Sequence, residues 1–132
     1  MKIGDLVRAA EQARLKARAP HSGFKVGAAL ETRHGKVYGG CNMENSTYGL
    51  TVCAERVAAW KALSEGESEF RRIVVVADTE ELTPPCGACR QILWEYCGDI
   101  EVVLANLRSA RTRFRLKELF PFPFDGRFLI GE

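Results

Sequence analysis

Apolar positions change period several times along this chain, and each change marks an element. From Asp5 to Arg18, Leu6, Ala9, Ala10, Ala13 and Ala17 recur on one helical face, and Pro20 closes the pattern. Phe24 to Thr32 and Lys36 to Asn42 read as two strands of a hairpin around the turn pair His34-Gly35. Cys53 to Ser64 is helical again. Val57, Trp60 and Leu63 mark its expected buried side, with Gly66 just beyond its end. The β-branched run from Arg72 to Asp78 predicts a strand buried on both faces. Pro84 and Pro85 interrupt, and Gly87 to Tyr96 predicts a helix with Ile92, Leu93 and Tyr96 inward. Glu101 to Ala105 gives a fourth strand. Thr112 to Leu116 gives a fifth with one wet face, Arg113 and Arg115 opposing Phe114 and Leu116. The tail around Pro121 and Pro123 reads as irregular. Helices and strands in this order imply an α/β sandwich. No repeat, linker or low-complexity segment divides it, so residues 1–132 are read as a single domain.

Composition narrows the classes. A chain of 132 residues suits one domain with a real core, and 46% apolar with 27% charged residues is ordinary for a globular protein. A formal charge of +2 is too small to imply a nucleic-acid or membrane partner by itself. Met1-Lys2-Ile3-Gly4-Asp5-Leu6 lacks the apolar core of a signal peptide, and no apolar run approaches a membrane span, so a soluble, cytoplasmic protein is expected. The five cysteines, Cys41, Cys53, Cys86, Cys89 and Cys97, point to thiol or metal chemistry rather than a disulfide framework.

The chemistry concentrates in Cys53-Ala54-Glu55 and Pro85-Cys86-Gly87-Ala88-Cys89. Both clusters stand at the starts of expected helices, where unpaired N–H groups and the helix dipole favour thiolates. Cys86 and Cys89, three residues apart, project from one face and can grip one ion. Pro85 fits the entry to its helix. A Cys86–Cys89 pair alone would equally suit a structural zinc site. The addition of Cys53 without an evident fourth ligand favours a catalytic one, in which three protein ligands leave a position for water. Cys41, His21 and His34 are the competing fourth ligands, but Cys41 ends a strand and is expected to be a small core hydrophobe, as Cys97 is expected to be structural. Glu55 supplies the proton-transfer group such a water needs, beyond its dipole-favoured place in a first turn. Three thiolates around Zn²⁺ carry a net charge of −1, and Arg56 is the candidate to offset it by hydrogen bonding to sulfur.

These residues match a family. Phe24-Lys25-Val26-Gly27-Ala28-Ala29-Leu30, Gly40-Cys41-Asn42-Met43-Glu44-Asn45, Cys53-Ala54-Glu55-Arg56, Cys86-Gly87-Ala88-Cys89-Arg90-Gln91 and Glu118-Leu119-Phe120-Pro121 together resemble the small homotetrameric cytidine deaminases. The metal clusters resemble the all-cysteine form of the zinc deaminase signature. The resemblance implies a three-layer α/β/α sandwich with a mixed five-stranded sheet covered by helices. It also implies hydrolytic deamination of cytidine and 2′-deoxycytidine with release of ammonia, in pyrimidine salvage. One Zn²⁺ per subunit would be held by Cys53, Cys86 and Cys89, with Glu55 as proton shuttle. Asn42 and Glu44 would bind the ribose hydroxyls, Phe24 would pack on the pyrimidine, and backbone groups at Ala54 and near Cys86 would read the base edge. Tyr48 and Phe124 would belong to a wall supplied by a neighbouring subunit of a homotetramer. Two departures stand out. His21 precedes Ser22 where the family usually has tyrosine, and Phe120-Pro121-Phe122-Pro123-Phe124 is unusually aromatic, as expected of a subunit interface.

Other functions share parts of this pattern. A deaminase of a modified cytidine or a blasticidin-type nucleoside would use the same metal site, and Asn42 and Glu44 are what a ribose binder specifically needs. A nucleic-acid editor would use Arg108, Arg111, Arg113, Arg115 and Lys117 against phosphates. At this net charge that stretch reads better as a solvated strand face balanced by Glu101 and Glu118. A metal scaffold without turnover would have no use for Glu55. The expected partner is therefore a small nucleoside, with neither nucleic acid nor membrane.

Overall fold

The β-branched run forms the centre of the molecule because its side chains find apolar partners on both sides. The computed structural model describes residues 1–130. Five strands, β1 (Val26–Thr32), β2 (Val37–Cys41), β3 (Phe70–Ala77), β4 (Glu101–Ala105) and β5 (Arg111–Arg115), form one sheet in the order β2-β1-β3-β4-β5. Only β3 and β4 run parallel; the other neighbours are antiparallel, so the sheet is mixed. Helix α1 (Ile3–Arg14) covers one face, where Leu6, Val7 and Ala10 meet Ala29, Val74, Val76 and Val103. Helices α2 (Ala54–Ser64) and α3 (Gly87–Cys97) cover the other, over Ala28, Leu30, Ile73, Val75 and Val102. The three-layer α/β/α sandwich expected from the resemblance is the fold observed.

Several boundaries differ for identifiable reasons. Helix α1 stops at Arg14 because Arg18 pairs with the chain around Met43: its N–H donates to Asn42 O at 3.0 Å, and its carbonyl accepts from Glu44 N at 2.8 Å. β1 begins at Val26 rather than Phe24, since Phe24 N–H is taken by Ser22 Oγ at 3.0 Å. β3 starts earlier than Arg72, with Phe70 opposite Thr32 beyond a bulge, and ends at Ala77, leaving Asp78 exposed. Leu116 leaves the fifth strand and opens α4 (Leu116–Leu119), where Glu118 accepts from Arg115 N–H at 2.7 Å. Glu118 is thus a helix-start acceptor. Arg113 and Arg115 are instead matched by Glu101 at 3.4 Å and Asp99 at 3.5 Å.

The buried faces of α2 and α3 also differ from the expectation. Helix α2 turns Ala54, Ala58, Ala59 and Ala62 to the sheet and leaves Trp60 exposed; in α3, Cys89 and Leu93 are buried while Tyr96 is exposed. Trp60 and Tyr96 meet edge to face on the outer surface, with ring centroids 5.9 Å apart. The alanine face permits close approach. A Cβ on Gly40 of β2 would stand 2.4 Å from Ala54 O and 2.5 Å from Ala58 N, so the first turn of α2 is seated directly on that glycine.

The opposite end of the sheet is tied by charge. Glu31, fully buried, accepts from Arg72 Nε at 2.7 Å and from the Met1 amine at 2.9 Å. Arg72 continues to Glu101 at 3.8 Å, which also faces Arg113. Among the described residues no helix is long and apolar enough to cross a membrane.

Candidate active site

Two helices begin at cysteines. Cys53 precedes α2 and Cys86 precedes α3, each with extended backbone and neither making a side-chain capping bond. Cys89 lies one turn into α3 and is buried. The three sulfurs fall within 4.8 Å of one another, and Cys53 Sγ is 3.8 Å from Cys86 Sγ. Three thiols converging at this range, with no fourth protein ligand among the described residues, are a donor set suited to zinc with an open position. Among the described residues this is the group that could hold a metal ion. Cys41 is buried at the end of β2 and Cys97 is half-buried at the end of α3, both outside it. Burial pushes the Cys97 thiol up to about 12, in keeping with an inert packing residue. His21 packs edge to face on Tyr48, and His34 is exposed, 3.9 Å from Glu69.

The sulfurs are electrostatically unequal. Hydrogen bonding with Cys89 lowers Cys53 to about 5, with Arg56 and Cys86 adding to it against the cost of burial. The same contact, then burial and the Glu55 charge, drives Cys89 upward. Arg56 Nη2 donates to Cys53 Sγ at 3.4 Å, and Arg56 Nε is buried with no hydrogen-bond partner among the described residues. Glu55, in the first turn of α2, is only 5% exposed. Burial pushes its carboxyl up to about 7, with its own amide opposing and the neighbouring Cys53 charge adding. That places it in the range where one group can both take and return a proton near neutral pH.

Cys53, Ala54, Glu55 and Cys86 line a cavity of about 290 Å³. Phe24, Asn42 and Glu44 line it as well. Phe24 is half-open to solvent. Asn42 is buried and bifunctional: its Oδ1 accepts from Val26 N–H and its Nδ2 donates to Phe24 O, both at 2.8 Å. Glu44 accepts at Oε1 from the amides of His21 and Ser22, at 2.9 and 3.0 Å, and at Oε2 from the Ser22 hydroxyl. These bonds, the Ser22 hydroxyl first, hold the Glu44 carboxyl below the usual carboxylate range.

The structure brings together Phe24, Asn42, Glu44, Cys53, Ala54, Glu55 and Cys86 around one cavity, with Cys89 and Arg56 against the sulfurs. It does not bring Tyr48 or Phe124 to the cavity of the same chain. Tyr48 is 76% exposed on a short 3₁₀ turn, and Phe124 stacks on Phe128 with centroids 5.7 Å apart. Sequence reasoning missed Ser22, Val26, Thr51, Val52, Val75, Thr83 and Pro84, which also line the cavity. Thr83 and Pro84 carried a usable signal, since they run directly into the Cys86 cluster. Val75 carried none, being one valine of a uniform strand.

Comparison with known proteins agrees with the geometry. Residues 2–106 match the family described as the cytidine and deoxycytidylate deaminase zinc-binding region. The chain is 49% identical over 120 residues to a cytidine deaminase of Halalkalibacterium halodurans, covering 90% of this chain and 91% of that one. It is 45% identical over 126 residues to a cytidine deaminase of Sporosarcina psychrophila, covering 95% and 93%. The crystal structure of a cytidine deaminase from Burkholderia pseudomallei superposes with a TM-score of 0.91 at 46% identity, covering 94% of this chain and all of that one.

Proposed function

The chain belongs to the cytidine and deoxycytidylate deaminase family, and from that premise we infer that it hydrolyses the exocyclic amine of cytidine and 2′-deoxycytidine. The products are the uridine counterparts and ammonia, a step of pyrimidine salvage. One observation carries the reading: three cysteine sulfurs lie within 4.8 Å of one another, and two of these cysteines, Cys53 and Cys86, line a cavity of about 290 Å³ together with the buried Glu55.

Cys53, Cys86 and Cys89 hold one zinc per subunit. Bound there, zinc supplies a Lewis acid that brings the pKa of a water toward about 7. Three thiolates weaken that effect, and Arg56 answers them with Nη2 on Cys53 and a second buried donor at Nε. Glu55 takes a proton from the attacking water and delivers it to N3 of the ring. It then carries the second proton to the amine, which leaves as ammonia. Phe24 packs on the pyrimidine, the backbone at Ala54 and near Cys86 reads the base edge, and Asn42 and Glu44 engage the ribose hydroxyls.

The active unit on this reading is a cytoplasmic homotetramer of single-domain chains. Exposed Tyr48 and Phe124, and the Trp60–Tyr96 pair on the outer face of α2 and α3, are surfaces a second copy would cover. The experiment is ammonia release from a nucleoside panel by the zinc-loaded protein beside Glu55→Gln. Turnover of cytidine and deoxycytidine, abolished in the variant, is expected. No turnover of any cytosine nucleoside, or equal turnover by the variant, would overturn it.

A further inference from the structure

The segment that carries Phe24 is fastened to the body by the two side chains read above as sugar ligands. At its near end, Glu44 takes three hydrogen bonds from two consecutive residues, His21 and Ser22. At its far end, the Asn42 amide spans Phe24 O and Val26 N–H. Gly23 between them has φ +70°, a left-handed conformation that turns the chain, and its N–H bonds back to Ala19 O at 2.9 Å. Ser22 is the junction. Its hydroxyl accepts from Phe24 N–H at 3.0 Å and donates to Glu44 Oε2, so one relay runs from the Phe24 backbone through Ser22 to the carboxylate.

Counting sites on that carboxylate locates where a sugar can bind. An ionised carboxylate only accepts, with about two positions on each oxygen. Oε1 is filled by the His21 and Ser22 amides, whereas Oε2 holds the Ser22 hydroxyl and keeps one position free. A sugar hydroxyl must therefore donate to Oε2, the oxygen whose direction Ser22 sets. Asn42 likewise retains one N–H and one lone pair after its two backbone bonds.

We propose that Ser22 is a positioning residue for sugar recognition: its hydroxyl aims Glu44 Oε2 at the ribose and links that contact to the seating of Phe24. The proposal rests on the reading of Glu44 as a ribose ligand. Its consequence is that discrimination for sugar hydroxyls depends on a residue that does not itself touch the sugar.

The test compares kcat/KM for cytidine with that for 2′,3′-dideoxycytidine in the wild type, Ser22→Ala, Ser22→Thr and Glu44→Gln. A general loosening of the Phe24 segment affects both substrates and cancels in the ratio. Ser22→Ala should lower the preference for cytidine about tenfold, mainly through KM, the size expected for one hydrogen bond to a charged acceptor. Ser22→Thr, which keeps the hydroxyl at an exposed position, should restore most of it. A Ser22→Ala ratio within twofold of wild type, with Glu44→Gln still lowering it, overturns the role of Ser22 alone. An unchanged ratio in Glu44→Gln overturns the ribose reading beneath it.

Discussion

Glu31 and Glu55 are both buried, 0% and 5% exposed, near opposite ends of the sheet, yet their surroundings shift the two carboxyls in opposite directions. For Glu31, the cost of burial would raise the carboxyl, but hydrogen bonds from the Met1 amine and Arg72 outweigh it and keep the group below its ordinary range. For Glu55 no comparable partner exists among the described residues. Burial prevails and pushes it up to about 7, while Arg56 beside it points at sulfur instead. Burial alone therefore assigns no role to a carboxylate. A directly paired cation makes one an anchor, and a cation committed to sulfur leaves the other unpaired, its carboxyl pushed up to about 7.

The contrast can be broken from either side. Glu55→Gln should reduce kcat on the order of 10²–10⁴-fold without lowering Tm, because it exchanges a buried carboxyl for a neutral amide of the same shape. Ammonia assays beside a thermal melt separate the two, and a large drop in Tm would make Glu55 an anchor after all. Glu31→Ala should do the reverse, costing about 3–5 kcal/mol of stability while leaving kcat of the folded enzyme unchanged. The sign with pH follows from the lowered native pKa. The unfolded chain takes up the proton first, so the Glu31 contribution is complete above the ordinary carboxylate value of about 4.3. It is lost as pH falls through the native value. Urea midpoints of wild type and Glu31→Ala should therefore converge in acid, and a constant gap would refute the pairing.

Smaller effects sharpen the site end. Arg56→Ala should lower zinc affinity or turnover by about 10–100-fold, read by competition with a chelator and by kcat. An unchanged affinity and rate would leave the three sulfurs balanced by something else. Gly40→Ala should cost about 1–3 kcal/mol, since its Cβ would press on Ala54 O and Ala58 N and lift the first turn of α2. Part of that cost should appear as lost zinc in metal analysis, a loss that Glu31→Ala should not show.

What the sequence revealed follows from which interactions are local. The cysteine clusters and Glu55 were legible because helix starts and ligand spacing are short-range features, and the strand periods gave the sheet. The facing of α2 and α3 was legible only in part: Leu63 and Leu93 pack inward as expected, whereas Trp60 and Tyr96 do not. Trp60, Ile92 and Tyr96 are apolar enough for a core, but the alanine face of α2 fits closer to Gly40 than any large side chain could. Size complementarity between distant segments leaves no periodic trace. The same holds for Asn42, whose amide bridges Phe24 and Val26 across a separation of sixteen residues or more. The Glu31–Arg72 pair spans 41 residues, and nothing near either residue announces it.

The uncapped starts of α2 and α3 have a consequence for how the protein can evolve. A serine, threonine or aspartate at either position would bond the first-turn amides and commonly add about 1 kcal/mol to a helix. At positions 53 and 86 the chain carries cysteine instead, with no side-chain capping bond at either. A capping residue at either position would gain that bond but remove a metal ligand, and with it the stability that a bound metal lends the folded chain. Any lineage of this enzyme that adapts to heat has to find its gains elsewhere in the sheet and on the outer faces of its helices.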